Sequence, residues 1–197
     1  MINISVVVGS TRQGRFSEKP AHWIVHLLKE RLDVAAQLLD LRNFPMPFFD
    51  ENMSPARAIP GTYGNDVVWR WSAAVGDGDG FIFVSPEYNY GPPAVLKNAL
   101  DWLYKEWNRK PAAFVSYGGV GGARSVQQLR EIVIELQMAP IRSSVHLSMS
   151  TVFTHFQGGD VETALAEHNR TGNLLIDDLI WWASSLKSAR LATSTGP

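Results

Sequence analysis

Cysteine is absent from the 197 residues, which removes disulfides, thiolate metal sites, iron–sulfur clusters and thiol catalysis together. An excess of either charge is also missing. Lys and Arg number 18 against 19 Asp and Glu, a net charge of −1, so neither nucleic acid nor an anionic membrane surface is an expected partner. No apolar run nears membrane-spanning length and the N-terminus has no basic lead, which makes the cytoplasm the expected location. Two phosphate motifs are missing from the N-terminal region as well. No Lys precedes Lys19, which excludes a P-loop there, and Gly9 is followed by Ser10 and Thr11 rather than by a G-x-G-x-x-G pattern.

What is present first is a β-branched run, Ile2 to Val8, that stops at Gly9 and gives way to Ser10-Thr11-Arg12-Gln13-Gly14-Arg15-Phe16-Ser17. A helical pattern (Trp23, Ile24, Leu27, Leu28) opens behind it. A polar turn between a buried strand and a helix start aims unpaired N–H groups at one point, where the helix dipole favours an anion. Without a Lys or a pyrophosphate fingerprint, the set Ser10, Thr11, Arg12, Arg15 and Ser17 suits a terminal monophosphate. The plain alternative is an ordinary strand-to-helix turn with Ser or Thr as the cap.

The hydrophobic fraction of 45% supports one domain, expected over 1–187, with small polar residues from 188 to 197 forming a loose tail. Strands are expected near 2–8, 34–40, 80–86, 112–117 and 141–147. Helices are expected near 17–32, 64–75, 92–106, 122–137 and 160–187. Such alternation, with near-continuous apolar strands such as Phe81-Ile82-Phe83-Val84, predicts a parallel α/β sheet covered on both faces. Ligands then sit at the carboxyl ends of the strands.

Three of those ends carry unusual loops. Besides the cradle there are Ser85-Pro86-Glu87-Tyr88-Asn89-Tyr90-Gly91-Pro92-Pro93 and Tyr117-Gly118-Gly119-Val120-Gly121-Gly122-Ala123-Arg124-Ser125. The first offers rings, an amide and stiffening prolines for a flat aromatic ligand. The second lets backbone approach a ring where no Cβ would fit. Turn chemistry accounts for either loop taken singly; three together predict one pocket.

With those residues in place, the chain resembles the NADPH-dependent FMN reductase family of flavodoxin-like proteins, which includes quinone and azo reductases. The matching segments are Gly9-Ser10-Thr11-Arg12 with Arg15, Ser85-Pro86-Glu87-Tyr88-Asn89 running into Leu96-Lys97-Asn98-Ala99-Leu100-Asp101-Trp102, and Gly118 to Gly122. The resemblance implies a flavodoxin-like, doubly wound five-stranded sheet in the order 2-1-3-4-5 with FMN at the switch point, a geometry of which flavodoxin itself is the standing example. It implies phosphate contacts at Ser10, Arg12, Arg15 and Ser17, and ring contacts at Pro86, Glu87, Tyr88, Asn89 and Tyr90. Tyr117, Gly118 and Gly119 then close the pyrimidine end. NADPH or NADH is the implied reductant, near Gly121, Gly122 and Arg124, where Arg124 meets either a 2′-phosphate or solvent. No catalytic acid or nucleophile is expected, because the cofactor carries the electron chemistry. The implied activity is transfer of hydride to a small acceptor (quinone, azo compound, free flavin or metal ion) in a ping-pong sequence. A flavodoxin-type carrier and a flavin-binding regulatory module are the alternatives.

Other constellations are weaker. His22 and His26 stand four apart, but Trp23 lies between them where a zinc protease has Glu, and no metal is expected. Asp50-Glu51 and Asp177-Asp178 read as solvated surface, as do His146 and His155, although His155 could reach a substrate. Val95, Trp102 and Trp107 widen the apolar surface of the expected 92–106 helix beyond one sheet face. A partner is therefore implied, and the family resemblance suggests a homodimer or homotetramer packed through that helix, with Phe44-Pro45-Met46-Pro47-Phe48-Phe49 either at the junction or folded inward as a lid.

Overall fold

The computed structural model describes residues 1–194. It consists of β1 (Ile2–Val8), α1 (Glu18–Lys29), β2 (Val34–Asp40), α2 (Asp66–Gly76), β3 (Gly80–Pro86), α3 (Ala94–Asp101), β4 (Pro111–Tyr117), α4 (Ala123–Glu135), β5 (Ala139–Leu147), α5 (Met149–Phe156), α6 (Val161–Ala166) and α7 (Asn169–Ser194). The sheet is parallel throughout and ordered β2-β1-β3-β4-β5. Going from β1 to β2 the chain moves one way across the sheet, and from β2 to β3 it crosses back. The crevice at β1 and β3, where that reversal occurs, opens beside both loops rich in polar groups.

Side-chain alternation divides the core between the two faces. Val6, Val8, Ile82, Val84 and Val115 pack under α1, α6 and α7, whereas Val7, Phe81, Phe83 and Phe114 pack under α2, α3 and α4. β3 and β4 are buried along their whole length, which is why they read as unbroken apolar runs. The cap of α2 is local chemistry: Asn65 Oδ1 accepts the amides of Val67 at 2.9 Å and Val68 at 3.3 Å.

Three expectations are corrected. The helix expected over 92–106 ends at Asp101, and the chain folds back through short turns. Trp102 and Trp107 are then buried within this chain rather than left for a partner. Trp102 donates its Nε1–H to the Pro47 carbonyl at 2.8 Å and meets the Phe49 ring edge-on, so the 44–49 segment is the lid. Trp107 packs on Trp71 and Phe81. The apolar surplus thus gives no ground for a subunit interface.

Second, the stretch expected as one helix from 160 is preceded by α5 and broken after α6. Third, α7 continues beyond 187, because Lys187 and Arg190 clasp buried Asp79 at 2.7 and 2.9 Å and Arg190 also donates to the Arg109 carbonyl at 2.7 Å. The expected tail is helical to Ser194, and 195–197 lie outside the described residues.

Candidate active site

The cradle begins where β1 runs out. The Gly9 amide bonds the Val84 carbonyl at 2.9 Å, and a Cβ at Gly9 would lie 2.9 Å from both that oxygen and Leu96 Cδ2. Only glycine fits that approach. The loop then leaves the sheet and is held by side chains. Arg42 donates to the Thr11 carbonyl at 3.2 Å and the Arg12 carbonyl at 2.6 Å. Ser10 Oγ meets Tyr88 OH at 3.0 Å, and Ser17 Oγ meets Tyr117 OH at 2.6 Å. Each cradle serine is therefore tied to a tyrosine of another ligand-facing loop.

Among the described residues, the amides of Thr11, Gln13, Gly14 and Phe16 have no hydrogen-bond partner, and neither has the exposed Arg12 guanidinium. A concentration of unpaired N–H groups and one free cation is the donor set an anion requires. Arg15 differs from the sequence expectation. Its side chain is 1% exposed and bonds Asp40 at 2.9 Å and Glu18 at 2.7 Å, with a further close contact to the Ser10 carbonyl. Burial works against its charge, but the two carboxylates outweigh that and hold its pKa above the ordinary value. Arg15 lines the pocket yet is spent on fastening the loop to the end of β2.

After β3 the chain makes a two-residue reverse turn. Tyr88 and Gly91 exchange backbone bonds at 2.9 and 3.0 Å, and Asn89 and Tyr90 at its tip take φ of +49° and +72°. Positive φ at both central residues marks the turn whose twist suits a hairpin, at some cost for a tyrosine. Gln128 anchors it by donating to the Tyr90 carbonyl at 2.7 Å. Pro86, Glu87 and Tyr88 line the pocket, whereas Asn89 and Tyr90, expected as ring contacts, are exposed and do not line it. Glu87 is nearly buried and pairs with Arg124, whose guanidinium lies 3.8 Å over the Tyr90 ring.

After β4, Gly118 takes φ of +154°, and a Cβ there would lie 2.9 Å from Glu87 Cβ. Gly118 and Gly119 line the pocket with Tyr117. Burial pushes the Tyr117 hydroxyl well above the usual phenol range, so it stays a neutral donor. Gly121, Gly122 and Arg124 do not line the cavity: the Gly121 carbonyl accepts from Ser116 at 2.8 Å and approaches His146 Nδ1 at 3.0 Å.

The three loops converge on a cavity of about 330 Å3. Sequence reasoning missed its fourth wall, Met149, Val152 and Phe156 of α5. Their spacing of three and four is a helical stripe, obscured because the last helix was expected to begin at 160. Phe16 completes the apolar lining and packs edge-on against Tyr117 at 5.0 Å, with the His155 ring tilted against it at 5.6 Å. Among the described residues no grouping of three metal-binding side chains occurs. Asp177 pairs with Arg31, and Asp178 accepts from Ser143.

The profile of the family described as NADPH-dependent FMN reductase matches residues 2–152. The chain belongs to that family. An NAD(P)H-dependent FMN reductase of Schizosaccharomyces pombe is 37% identical over 146 residues, covering 73% of this chain and 72% of its own. Another, from Nectria sp, is 34% identical over 187 residues, 89% of this chain and 92% of its own. A solved flavoenzyme, the NAD(P)H:(acceptor) oxidoreductase of Paracoccus denitrificans, superposes with a TM-score of 0.71 over 94% of this chain and 98% of its own. Its identity is 19%, and the likeness shows the fold. As a member of the FMN reductase family the chain is an oxidoreductase with FMN and a nicotinamide nucleotide as its cofactors. Its cavity suits FMN: unpaired amides and a free guanidinium at one end for a phosphate, and neutral aromatic and glycine walls at the other for a flat ring.

Proposed function

We propose that this protein binds FMN in the cavity between the cradle, the Pro86–Tyr88 edge and the Gly118–Gly119 edge, and reduces a small flat acceptor of quinone type at the expense of NADPH or NADH. The observation that carries the reading is that three chain segments far apart in sequence meet around one cavity, with its anion-seeking groups at the β1 end. Bound FMN would supply acceptance of a hydride from the nicotinamide and release of the electrons to an oxidant. The protein's share is placement. Arg12 and the amides of Thr11, Gln13, Gly14 and Phe16 hold the phosphate, and Ser10 and Ser17 keep the cradle in register with Tyr88 and Tyr117. Phe16, Met149, Val152 and Phe156 exclude water from the ring's neighbourhood and offer an apolar surface to a planar oxidant.

Reductant and oxidant share one mouth and take turns, which gives ping-pong kinetics. The test is anaerobic mixing of the yellow holoprotein with NADPH or NADH. Bleaching without any added reductase, followed by parallel-line steady-state patterns with a benzoquinone, is the expected result. Bleaching that needs a partner reductase would make the protein a carrier, and a colourless protein that ignores micromolar FMN would remove the flavin site.

A further inference from the structure

Glu87 is an anomaly among the groups that line the cavity. Its side chain is 4% exposed, on a wall that is otherwise mostly neutral, and its one ion pair among the described residues is with Arg124. That pairing is elaborate. Arg124 donates Nε–H to Oε1 at 2.6 Å and its own backbone amide to Oε2 at 3.1 Å, so both carboxylate oxygens are held. Its guanidinium is in turn stacked on Tyr90, whose positive-φ turn is pinned by Gln128. Gly118 clears the space for Glu87 Cβ. A turn with two residues at positive φ, a glycine and a stacked cation thus converge to keep one carboxylate neutralised.

We propose that Arg124 is a positioning residue that sets the electron affinity of the bound flavin by cancelling the field of Glu87. The proposal rests on the flavin reading of the cavity. A lone carboxylate in a low-dielectric wall disfavours added electron density nearby, and a guanidinium bonded to one of its oxygens, with the same residue's backbone amide on the other, turns the charge into a compact dipole. On this account Arg124 is committed to Glu87 and Tyr90, and is not held in reserve for a 2′-phosphate.

The signs of two substitutions test this. The full-length holoprotein is titrated with dithionite against a reference dye; the flavin takes up two electrons with protons from solvent, and its midpoint potential is read. Arg124→Met uncovers the carboxylate and should lower the potential, by about tenfold in the preference for oxidised over reduced FMN, or ~30 mV for a two-electron couple. Glu87→Gln uncovers the guanidinium and should raise it comparably. The double variant should return near the wild type, and Arg124→Lys, which keeps the charge, should stay there. A purely structural role for the pair moves both single variants the same way.

Shifts of equal sign, or an unmoved potential in Glu87→Gln, overturn the proposal, and the second criterion holds even if Arg124→Met fails to fold. Quenching of FMN fluorescence by the stripped protein separates the two levels. Quenching without opposed shifts defeats this inference alone, whereas no quenching defeats the flavin reading on which it stands.

Discussion

Arg15 and Asp40 join the cradle to the end of β2, Nη1 to Oδ1 at 2.9 Å, with the guanidinium almost wholly shielded from water. Asp40→Asn leaves that cation with Glu18 and a carbonyl, and a buried charge deprived of its main partner costs on the order of 3 kcal/mol of stability. Burial alone would push the Asp40 carboxyl up; the hydrogen bond from Arg15 and the Arg42 amide more than reverse this and hold it below the usual range. A carboxyl whose pKa is lower folded than unfolded contributes fully above the unfolded value, near 4, and progressively less as pH falls through the folded one. Urea unfolding of the two proteins should therefore differ strongly at pH 6 and converge in acid. An equal difference at every pH would contradict the pairing.

Trp102 supplies a second test, because burial inside the chain and burial against a partner have opposite signatures. Truncation to Ala removes a large core side chain and its bond to the Pro47 carbonyl, and should cost about 3 to 5 kcal/mol. The loss should be independent of protein concentration and should leave the mass in light scattering unchanged for the folded fraction. A change of oligomeric state without loss of stability would return Trp102 to an interface.

The same residue shows where the sequence was legible and where it was not. Strand positions follow from local periodicity and the βα alternation, whereas the sheet order is implied by the family resemblance; both agree with the structure closely. Whether an apolar face meets another chain or the protein's own loop is a non-local fact, and nothing in Trp102 or Phe49 alone distinguishes the two. At the site, loops rich in glycine and tyrosine announced themselves because their backbone demands are local. Arg15 did not, since its role depends on Asp40, 25 residues away and acidic for no reason visible within β2. The α5 wall was missed because Met149, Val152 and Phe156 make a stripe only once the helix boundary is known.

Lys110 gives a prediction of opposite pH sense. Its ammonium is buried at the C-terminus of α2, donating to the Val75 and Gly76 carbonyls at 2.9 and 3.0 Å. Burial, aided by nearby Arg190 and opposed by Asp79, brings its pKa down to about 8. Between pH 8 and about 10.5 the unfolded chain holds a proton that the folded one has released, so stability rises with pH, by up to about 3 kcal/mol from this group. Above pH 10, half-buried Tyr63, bonded to Glu106, and buried Tyr117 turn the curve down, because they keep protons that unfolded tyrosines lose. Lys110→Met should flatten the rise between pH 8 and 9.5 in denaturant titrations. An identical slope in variant and wild type would show that another group is responsible.

Arg12 decides what the cradle reads. Its guanidinium lines the cavity and has no protein partner among the described residues, unlike Arg15, Arg42 and Arg124, which are all engaged. If it meets the phosphate of FMN, Arg12→Ala removes a charge-assisted hydrogen bond of about 1.5 to 3 kcal/mol, roughly 10- to 150-fold in affinity. Riboflavin carries the same ring without the phosphate and should lose almost nothing. The pair of ligands matters because a folding defect weakens both, whereas a lost phosphate contact weakens FMN alone. Salt separates the cases further: the group is exposed, so the FMN deficit should shrink as added salt screens the attraction in the wild type. Fluorescence titration of the stripped protein with each flavin, at low and high ionic strength, measures all four constants. Equal losses for both flavins would mark a folding defect and not a phosphate contact, and no loss for either would mean that the unpaired amides alone hold the anion and that Arg12 only guards the mouth.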